Sequence, residues 1–158
     1  MQLFDSLCEA AAKIFQAPIG FITIVDYNRQ WFKSSFGVPF QCTSGPRGPS
    51  LCAHCVASGA GELIIPDAQA DERYKNNPNV VALNIRLYAA CTINDPITDL
   101  PMGSICVVDT KPRTPMKWEM EVLRALADQI GANLRLRVEK KENQVLIKKL
   151  QEQELQLV

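Results

Sequence analysis

The amino-acid sequence predicts an α+β fold: a central antiparallel sheet with the N- and C-terminal helices on one face and a loop with short helices on the other. Apolar residues recur at helical spacing at both ends of the chain, and short β-branched runs lie between them. Hairpin-type connections join these runs, which implies mostly antiparallel pairing. The 158 residues with 47% hydrophobic content suit one domain with an appendage.

The N-terminal third predicts one helix, two strands and a loop. Apolar residues share one helical face over residues 2–16, and Pro18 ends that pattern. FITIVD (21–26) and WFKSSFG (31–37) predict strands that pair as a hairpin through the turn YNRQ. Residues 38–50 contain three prolines and two glycines, which is typical of a loop.

The middle of the chain predicts short elements. Residues 51–59 favour a helix, and GELIIPD (61–67) favours a short strand. A short helix is expected near residues 70–75, followed by irregular chain around Pro78. We expect this region to cover the sheet and to leave a ligand pocket beneath it.

The clearest strands are IRLYAACTI (85–93) and GSICVVD (103–109), joined by the hairpin connection NDPITDLPM. Residues 111–115 form a break, and helix is predicted from there to the end. The first part of that helix carries an apolar stripe that can lie on the sheet: Val122, Leu123, Leu126, Ala127, Ile130 and Leu134.

The C-terminal helix predicts a division into a domain over residues 1–136 and a helical linker over residues 137–158. One heptad seam is formed by Leu136, Asn143, Leu150 and Leu157. The second seam offers a single apolar residue in either register, Leu146 or Ile147. Two interpretations stay open: a parallel coiled-coil homodimer, with Asn143 at an a position, or a solvated helical overhang.

Charge and cysteine usage limit the classes of partner and location. Lys+Arg and Asp+Glu are both 17, so nothing favours nucleic acid or a membrane surface as partner. No signal peptide is recognised, and no apolar run approaches the roughly 18 residues of a membrane span. The six scattered cysteines are therefore expected to be reduced thiols in a cytoplasmic protein.

The stretch SLCAHC (50–55) contains two cysteines and the only histidine. Ser50 is a good N-cap, which would place Cys52 in the first helical turn, where the pKa of a thiol is lowered. A reactive Cys52 is one interpretation, and a buried inert thiol is the other. His54 is expected to form a hydrogen bond inside the domain or to lie at the pocket mouth.

A metal site is not expected. Zinc needs four ligands, and Cys52, His54 and Cys55 cannot all reach one ion from a single helical turn. Cys42 or Cys91 would have to complete the site, and the sequence has no second CxxC.

Strand 85–93 supplies the best ligand-binding candidates. Successive side chains of a strand point to opposite faces of the sheet. One face would therefore carry Ile85, Leu87, Ala89 and Cys91, and the other Arg86, Tyr88, Ala90 and Thr92. An arginine within a sheet is costly unless it is paired or faces a cavity. We expect Arg86 and Tyr88 to contact ligand, with Arg86 as a forked donor to a carboxylate, phosphate or carbonyl group. The alternative is a salt bridge from Arg86 to Asp67 or Asp71.

Several motifs together resemble the GAF domain, a small-molecule sensor module of phosphodiesterases, phytochromes and histidine kinases. They are SLCAHC, ELIIPDAQADERYKNNPNV, IRLYAA, MGSICVVDTKPR and LRALADQI. The resemblance implies a non-enzymatic sensory domain that binds a small molecule above the sheet. It also implies signalling through the helices of a dimer to an output domain outside this sequence.

The resemblance leaves the ligand and any cofactor unassigned, because the motifs depart from the family pattern at Tyr74, Leu87, Ala90 and Cys91. No catalytic residue is assigned. In DERYK (71–75), Asp71 and Arg73 are either solvated charges or part of a lid. The candidate ligand-binding residues are Arg86, Tyr88, Cys52, His54, Asp67, Asp71 and Arg73.

Other functions stay open. One GAF branch, the free methionine sulfoxide reductases, uses thiols around the pocket, so a thiol-based redox sensor or reductase is the main alternative. The Gly-His-Ile-Ala-Cys context of that branch is absent here. Covalent bilin attachment is not expected, since Ala53 separates Cys52 from His54. A third possibility is a structural dimerisation module whose pocket is filled by Leu87, Tyr88 and Cys91.

Overall fold

The computed structural model describes residues 3–38 and 43–157. Along the described chain the helices and strands follow in the order α1 (Leu3–Ile14), β1 (Ile19–Val25), β2 (Arg29–Phe36), β3 (Ser44–Pro46), α2 (Leu51–Ala57), β4 (Glu62–Ile65), α3 (Pro78–Ala82), β5 (Leu87–Asn94), β6 (Pro101–Asp109) and α4 (Lys117–Gln156).

The strands form one six-stranded sheet in the order β3-β2-β1-β6-β5-β4, and every neighbouring pair is antiparallel. The hairpins β1–β2 and β5–β6 are the two that the sequence predicts. Pairing of β1 with β6, with Phe21 opposite Cys106, joins the two halves of the chain at the centre of the sheet. The predicted α+β architecture is confirmed.

The terminal helices cover one face of the sheet. Ala89, Cys91, Ile105 and Val107 point toward them and share a core with the apolar faces of α1 and α4. Close approach of α4 requires Gly131, because a Cβ there would lie 2.4 Å from the carbonyl oxygen of Asn94.

The opposite face carries a second core. Alternate residues of the same two strands, Tyr88, Ala90, Cys106 and Val108, lie under α2 and the chain from β4 to β5. The sheet therefore separates two apolar layers, and β5 and β6 contribute to both.

Two predictions about the covering region were wrong. Residues 70–75 form turns, and the helix begins instead at Pro78. The Asn77 side chain accepts hydrogen bonds from the backbone N–H groups of Asn79 and Val80, which caps α3, and Pro78 suits the first helical position. The predicted loop 38–50 also contains the short edge strand β3, which pairs with β2.

The predicted alternation fails at Ile85. Its N–H donates to the carbonyl oxygen of Val80, and it packs in the same core as Tyr88, because β5 begins only at Leu87. Ile85 therefore belongs to the connection from α3 and not to the strand.

Helix α4 extends well beyond the sheet. Its 40 residues span about 60 Å at 1.5 Å per residue, and nearly all residues from Leu136 onward are exposed. Across the described ranges, none of the helices has the length and apolar character needed to cross a membrane.

Candidate functional site

A cavity of about 340 Å³ lies on the face of the sheet opposite the terminal helices. Its walls come from the sheet, from α2, and from α3 with the residues that follow it. The lining residues are Phe21, Gln30, Phe32, Ser44, Gly45, Pro46, Leu51, Cys52, Asn79, Ala82, Leu83, Ile85, Tyr88, Cys106 and Val108. Ser44, Pro46 and Ala82 are exposed and mark its mouth.

The lining is mostly apolar. Gln30 and Asn79 supply amides, Tyr88 a phenol, and Cys52 and Cys106 thiols. Among the described residues, no Lys, Arg, His, Asp or Glu side chain lines the cavity. The wall therefore offers shape, apolar surface and neutral hydrogen-bonding groups.

Capping interactions hold α2 against the rest of the wall. Ser50 caps α2 by accepting from the N–H of Ala53 at 3.1 Å, and its hydroxyl donates to Oε1 of Gln30. The side-chain amides of Asn77 and Asn79 both donate to the carbonyl oxygen of Pro49, at 3.0 and 3.1 Å. The start of α2 is thus tied to β2 and to α3.

A polar cluster lies at the floor of the cavity, around Cys52. The hydroxyl of Tyr88 donates to Sγ of Cys52 at 3.2 Å, and Oγ1 of Thr23 lies 3.5 Å from the same sulfur. Sγ of Cys106 lies 3.8 Å from Sγ of Cys52. All four residues are at least nine-tenths buried.

This cluster shifts the pKa values of its members in opposite directions. Hydrogen bonding with Cys106, helped by that with Ser104, Thr23 and Tyr88, lowers the pKa of Cys52 against the effect of burial. The same hydrogen bond and burial raise the pKa of Cys106, and burial raises the pKa of Tyr88. Elsewhere, burial raises the pKa of Cys55 to about 12 and that of Cys91 to about 11.

Of the residues predicted to bind ligand, Tyr88 and Cys52 line the cavity. Arg86 does not: its Nη1 donates to Oδ2 of Asp67 at 2.9 Å, which is the salt bridge weighed as the alternative. Asp67 also accepts from the N–H of Gln69, so the pair fixes the turn after β4.

The remaining candidates lie on the outer surface. His54 is exposed on the side of α2 away from the cavity, with its ring 5.6 Å from that of Tyr74. Asp71 and Arg73 pair with each other at 2.8 Å, and Arg73 stacks over the ring of Tyr74. These side chains surround Tyr74 and contribute nothing to the cavity lining.

The residues weighed for zinc do not converge. Cys91 packs against the terminal helices, on the face of the sheet opposite Cys52, and Cys42 lies outside the described residues. Within residues 3–38 and 43–157, no group of three His, Cys, Asp or Glu side chains could hold a metal ion. Of Leu87, Tyr88 and Cys91, considered as fillers of the pocket, only Tyr88 lines the cavity.

Sequence reasoning missed Cys106, Gln30 and Asn79 as wall residues. Cys106 could have been found, because it alternates with Val108 on the strand that pairs with 85–93. Gln30 and Asn79 gave no local signal, since their positions depend on the register of β1–β2 and on the cap of α3.

Comparisons with known proteins agree with this architecture. The family model described as GAF domain matches residues 2–135. The chain is 38% identical over 116 residues to the cyclic di-GMP phosphodiesterase PA2567 of Pseudomonas aeruginosa, which covers 73% of this chain and 19% of that protein. The chain thus spans about a fifth of that relative.

Two solved structures show the same fold at low identity. The blue-light absorbing form of the Thermosynechococcus elongatus PixJ GAF domain superimposes with a TM-score of 0.67 at 14% identity, covering 90% of this chain and 88% of that one. The type II free methionine-R-sulfoxide reductase of Thermoplasma acidophilum gives 0.66 at 13% identity, covering 82% and 87%. With the family match over most of its length, the chain belongs to the GAF domain family.

Proposed function

We propose that this chain is a sensory domain that binds a small molecule in the cavity and signals through its terminal helices. The observation that carries the proposal is the cavity itself: it lies between the sheet and its covering elements and opens at Ser44, Pro46 and Ala82. Its volume of about 340 Å³ lies near the lower limit for ligand pockets, which typically have volumes of about 300–1,000 Å³.

The lining favours an uncharged, largely apolar ligand. Taking an ionised carboxylate or phosphate out of water is costly unless a paired charge replaces its hydration, and the described lining offers no cationic side chain. Arg86 directly precedes β5, the strand that carries Tyr88, but its guanidinium group forms a salt bridge with Asp67. The sequence-based prediction that His54, Asp67, Asp71, Arg73 and Arg86 bind ligand is not tested, and none of the five lines this cavity.

Two amides and the phenol would orient the ligand. Because Ser50 donates to Oε1 of Gln30, the amide nitrogen is the group that Gln30 can offer, and it lies beside Gly45 in the wall. Asn79 uses its amide nitrogen on Pro49, so its carbonyl oxygen is the acceptor it can offer. Tyr88 and Cys52 complete the polar part of the wall.

The route to α4 runs around the edge of the sheet. Helix α2 ends in a turn that leads to Gly61, whose carbonyl oxygen accepts from Arg124 of α4 at 3.0 Å. The backbone N–H of Thr92 in β5 donates to the same oxygen at 2.9 Å. A ligand that moves α2 would therefore act on α4. It shifts the equilibrium only if it binds one arrangement of the helices more tightly.

We further propose that residues 1–136 form the sensory unit and that residues 137–158 form a linker, which pairs in a parallel homodimer and leads to an output domain. Exposed apolar side chains along this segment support it: Val138, Val145, Leu146, Ile147, Leu150, Leu155 and Leu157. The five described cysteines are all free and buried, which suits a cytoplasmic location.

Native mass spectrometry of freshly purified protein tests ligand binding directly. We then compare methyl benzoate with benzoate, a pair matched in shape and differing in charge, by ligand-observed NMR. Methyl benzoate should bind more tightly, and tighter binding of the benzoate anion would contradict the proposal.

A matched pair of variants tests the location. Ala82→Phe narrows the mouth and should weaken binding of methyl benzoate, whereas Val81→Phe, on the same helix and outside the cavity lining, should leave it unchanged. Equal effects would place the binding site elsewhere.

A further inference from the structure

Cys52 and Cys106 bring two sulfurs together at the floor of the cavity. One residue lies on α2 and the other on β6, 54 positions apart in sequence, yet the Sγ atoms are 3.8 Å apart. Both side chains line the cavity, so a small molecule that enters at Ala82 can reach them.

The neighbours of Cys52 favour its thiolate form. Tyr88 donates a hydrogen bond to the Cys52 sulfur at 3.2 Å, and the hydroxyl of Thr23 lies 3.5 Å from it. Hydroxyl and phenol donors stabilise a negative sulfur more than a neutral one. A thiolate is the nucleophilic form of cysteine, and a second thiol beside it can resolve an oxidised product.

The other described thiols lack this combination. Cys55 packs in the core under α2 without lining the cavity, and Cys8 and Cys91 lie on the face covered by the terminal helices. Burial raises the pKa of both Cys8 and Cys55 to about 12, so both thiols stay protonated at neutral pH.

We propose that Cys52 and Cys106 form an oxidation site for small apolar hydroperoxides. The Cys52 thiolate attacks the outer peroxide oxygen of ROOH: an S–O bond forms, the O–O bond breaks, and the alkoxide takes the proton that Cys52 had released. Cys106 then attacks the sulfur of the Cys52 sulfenic acid, which forms the disulfide and releases water. Overall, two thiols and ROOH give one disulfide, ROH and H₂O, so the thiols are oxidised and the peroxide reduced.

The disulfide would join α2 to the centre of the sheet. Its formation brings the sulfurs from 3.8 Å to about 2.05 Å, which pulls the floor of the cavity together. Oxidation would thus act on the same helix that a bound ligand contacts, although the reaction does not depend on the cavity binding any other ligand.

Peptide mapping by mass spectrometry tests the site. Fully reduced protein is treated with one equivalent of tert-butyl hydroperoxide, quenched with an alkylating reagent and digested. The expected product is the peptide pair linked through Cys52 and Cys106. A linkage or oxidation that falls mainly on other cysteines, or no reaction of the folded protein, would overturn the proposal.

Single variants separate the two roles. Cys106→Ser should abolish the linkage and leave Cys52 as a sulfenic acid that dimedone traps, whereas Cys52→Ser should lose both products. Cys91→Ser, on the opposite face, and Cys42→Ser should both retain the linkage. Circular dichroism confirms that each variant is folded, and a folded Cys52→Ser protein that still reacts at Cys106 would contradict the assignment of Cys52 as nucleophile.

This mapping and the NMR comparison of methyl benzoate with benzoate have separate readouts. Reduced protein can fail to bind methyl benzoate while the thiols still form the disulfide, and the reverse can also occur. Each proposal can therefore be rejected alone.

Discussion

Arg124 of α4 donates from Nη1 to the carbonyl oxygen of Gly61 at 3.0 Å, and its Nη2 donates to the carbonyl oxygen of Thr92. Gly61 lies in the turn between α2 and β4, and Thr92 lies in β5. One side chain therefore connects the long helix on one face of the sheet to the segment that leaves the cavity wall on the other face.

We expect Arg124→Leu to loosen this connection. The variant leaves two partly buried carbonyl groups without their charged donor, which should lower the free energy of unfolding by about 1–3 kcal/mol. Chemical denaturation measures the loss, and hydrogen exchange should show faster opening of residues 58–62.

A second arginine on the same helix provides the control. Arg135→Leu removes partly exposed ion pairs to the carboxylates of Asp95 and Glu139 and not hydrogen bonds to backbone carbonyls, so it should change the free energy of unfolding by less than about 1 kcal/mol. If both variants have the same small effect, Arg124 does not connect α4 to the α2 side of the sheet.

The second prediction concerns the pH dependence of Cys52 reactivity. Hydrogen bonds lower the pKa of Cys52, so its thiolate fraction, and with it the alkylation rate, should rise and level off at a lower pH than for an ordinary thiol. Tyr88→Phe removes one donor to the sulfur. A hydrogen bond to a charged group is worth about 1.5–3 kcal/mol, so the variant should shift the profile toward higher pH by at most about 1–2 pH units and slow alkylation at pH 7.

Alkylation by iodoacetamide, followed at each cysteine by peptide mapping, gives these profiles. Cys55 and Cys91 serve as internal references, because burial raises their pKa values to about 12 and about 11. A Tyr88→Phe profile identical to that of the wild type would show that the phenol does not stabilise the thiolate.

The third prediction concerns Gly103 in β6. A Cβ at this position would lie 1.9 Å from the carbonyl oxygen of Thr23 in the neighbouring strand. Because that atom belongs to the backbone of a central strand, it cannot move without disturbing the β1–β6 pairing. Gly103→Ala should therefore destabilise the domain by about 3 kcal/mol or more.

Gly48→Ala is the matched control, since its Cβ would have nothing within 4 Å. Thermal unfolding of both variants should show a large decrease in Tm for Gly103→Ala only. A mild effect at Gly103 would mean that β1 and β6 are less closely paired than the structure shows.

The sequence predicted five of the six described strands and both terminal helices, because their signals are local: alternation in 85–93 and 103–109, and helical periodicity in 2–16 and after Pro115. It failed where a single side chain decides the structure. The Asn77 cap starts α3 at Pro78, after the turns of residues 70–75. The position of this helix brings Asn79 and Ala82 into the cavity wall.

The candidate site was only partly predictable for the same reason. Tyr88 and Cys52 were found from alternation and from the N-cap Ser50, which are both local patterns. Whether Arg86 faces a cavity or a carboxylate depends on where the turn after β4 places Asp67, and alternation within one strand carries no such information.

The fourth prediction tests the role of Arg86. The Arg86–Asp67 pair is partly exposed, so Arg86→Gln should lower the free energy of unfolding by less than about 1 kcal/mol. Because Arg86 is outside the cavity lining, the affinity for methyl benzoate should stay unchanged. Asp67→Asn is the matched variant, and loss of binding in Arg86→Gln alone would show that Arg86 contacts the ligand.

The fifth prediction concerns the exposed part of α4. An isolated helix that presents Leu146, Ile147 and Leu150 to water gains stability if a second copy covers these side chains, so the full chain should be a dimer at micromolar concentration. Deletion of residues 137–158 should give a monomer that still binds methyl benzoate, because every described lining residue precedes the deletion. Sedimentation velocity measures the oligomeric state.

The polar residue in the seam makes the orientation of the dimer testable as well. Asn143 follows Leu136 by one heptad, and a paired asparagine at this position favours parallel, in-register helices. Asn143→Leu should raise the stability of the dimer and relax this preference. Cysteines introduced near either end of residues 137–158 should then no longer report one register by cross-linking. A truncated chain that remains dimeric would show instead that the copies associate through the sheet domain, and α4 would then be a solvated extension.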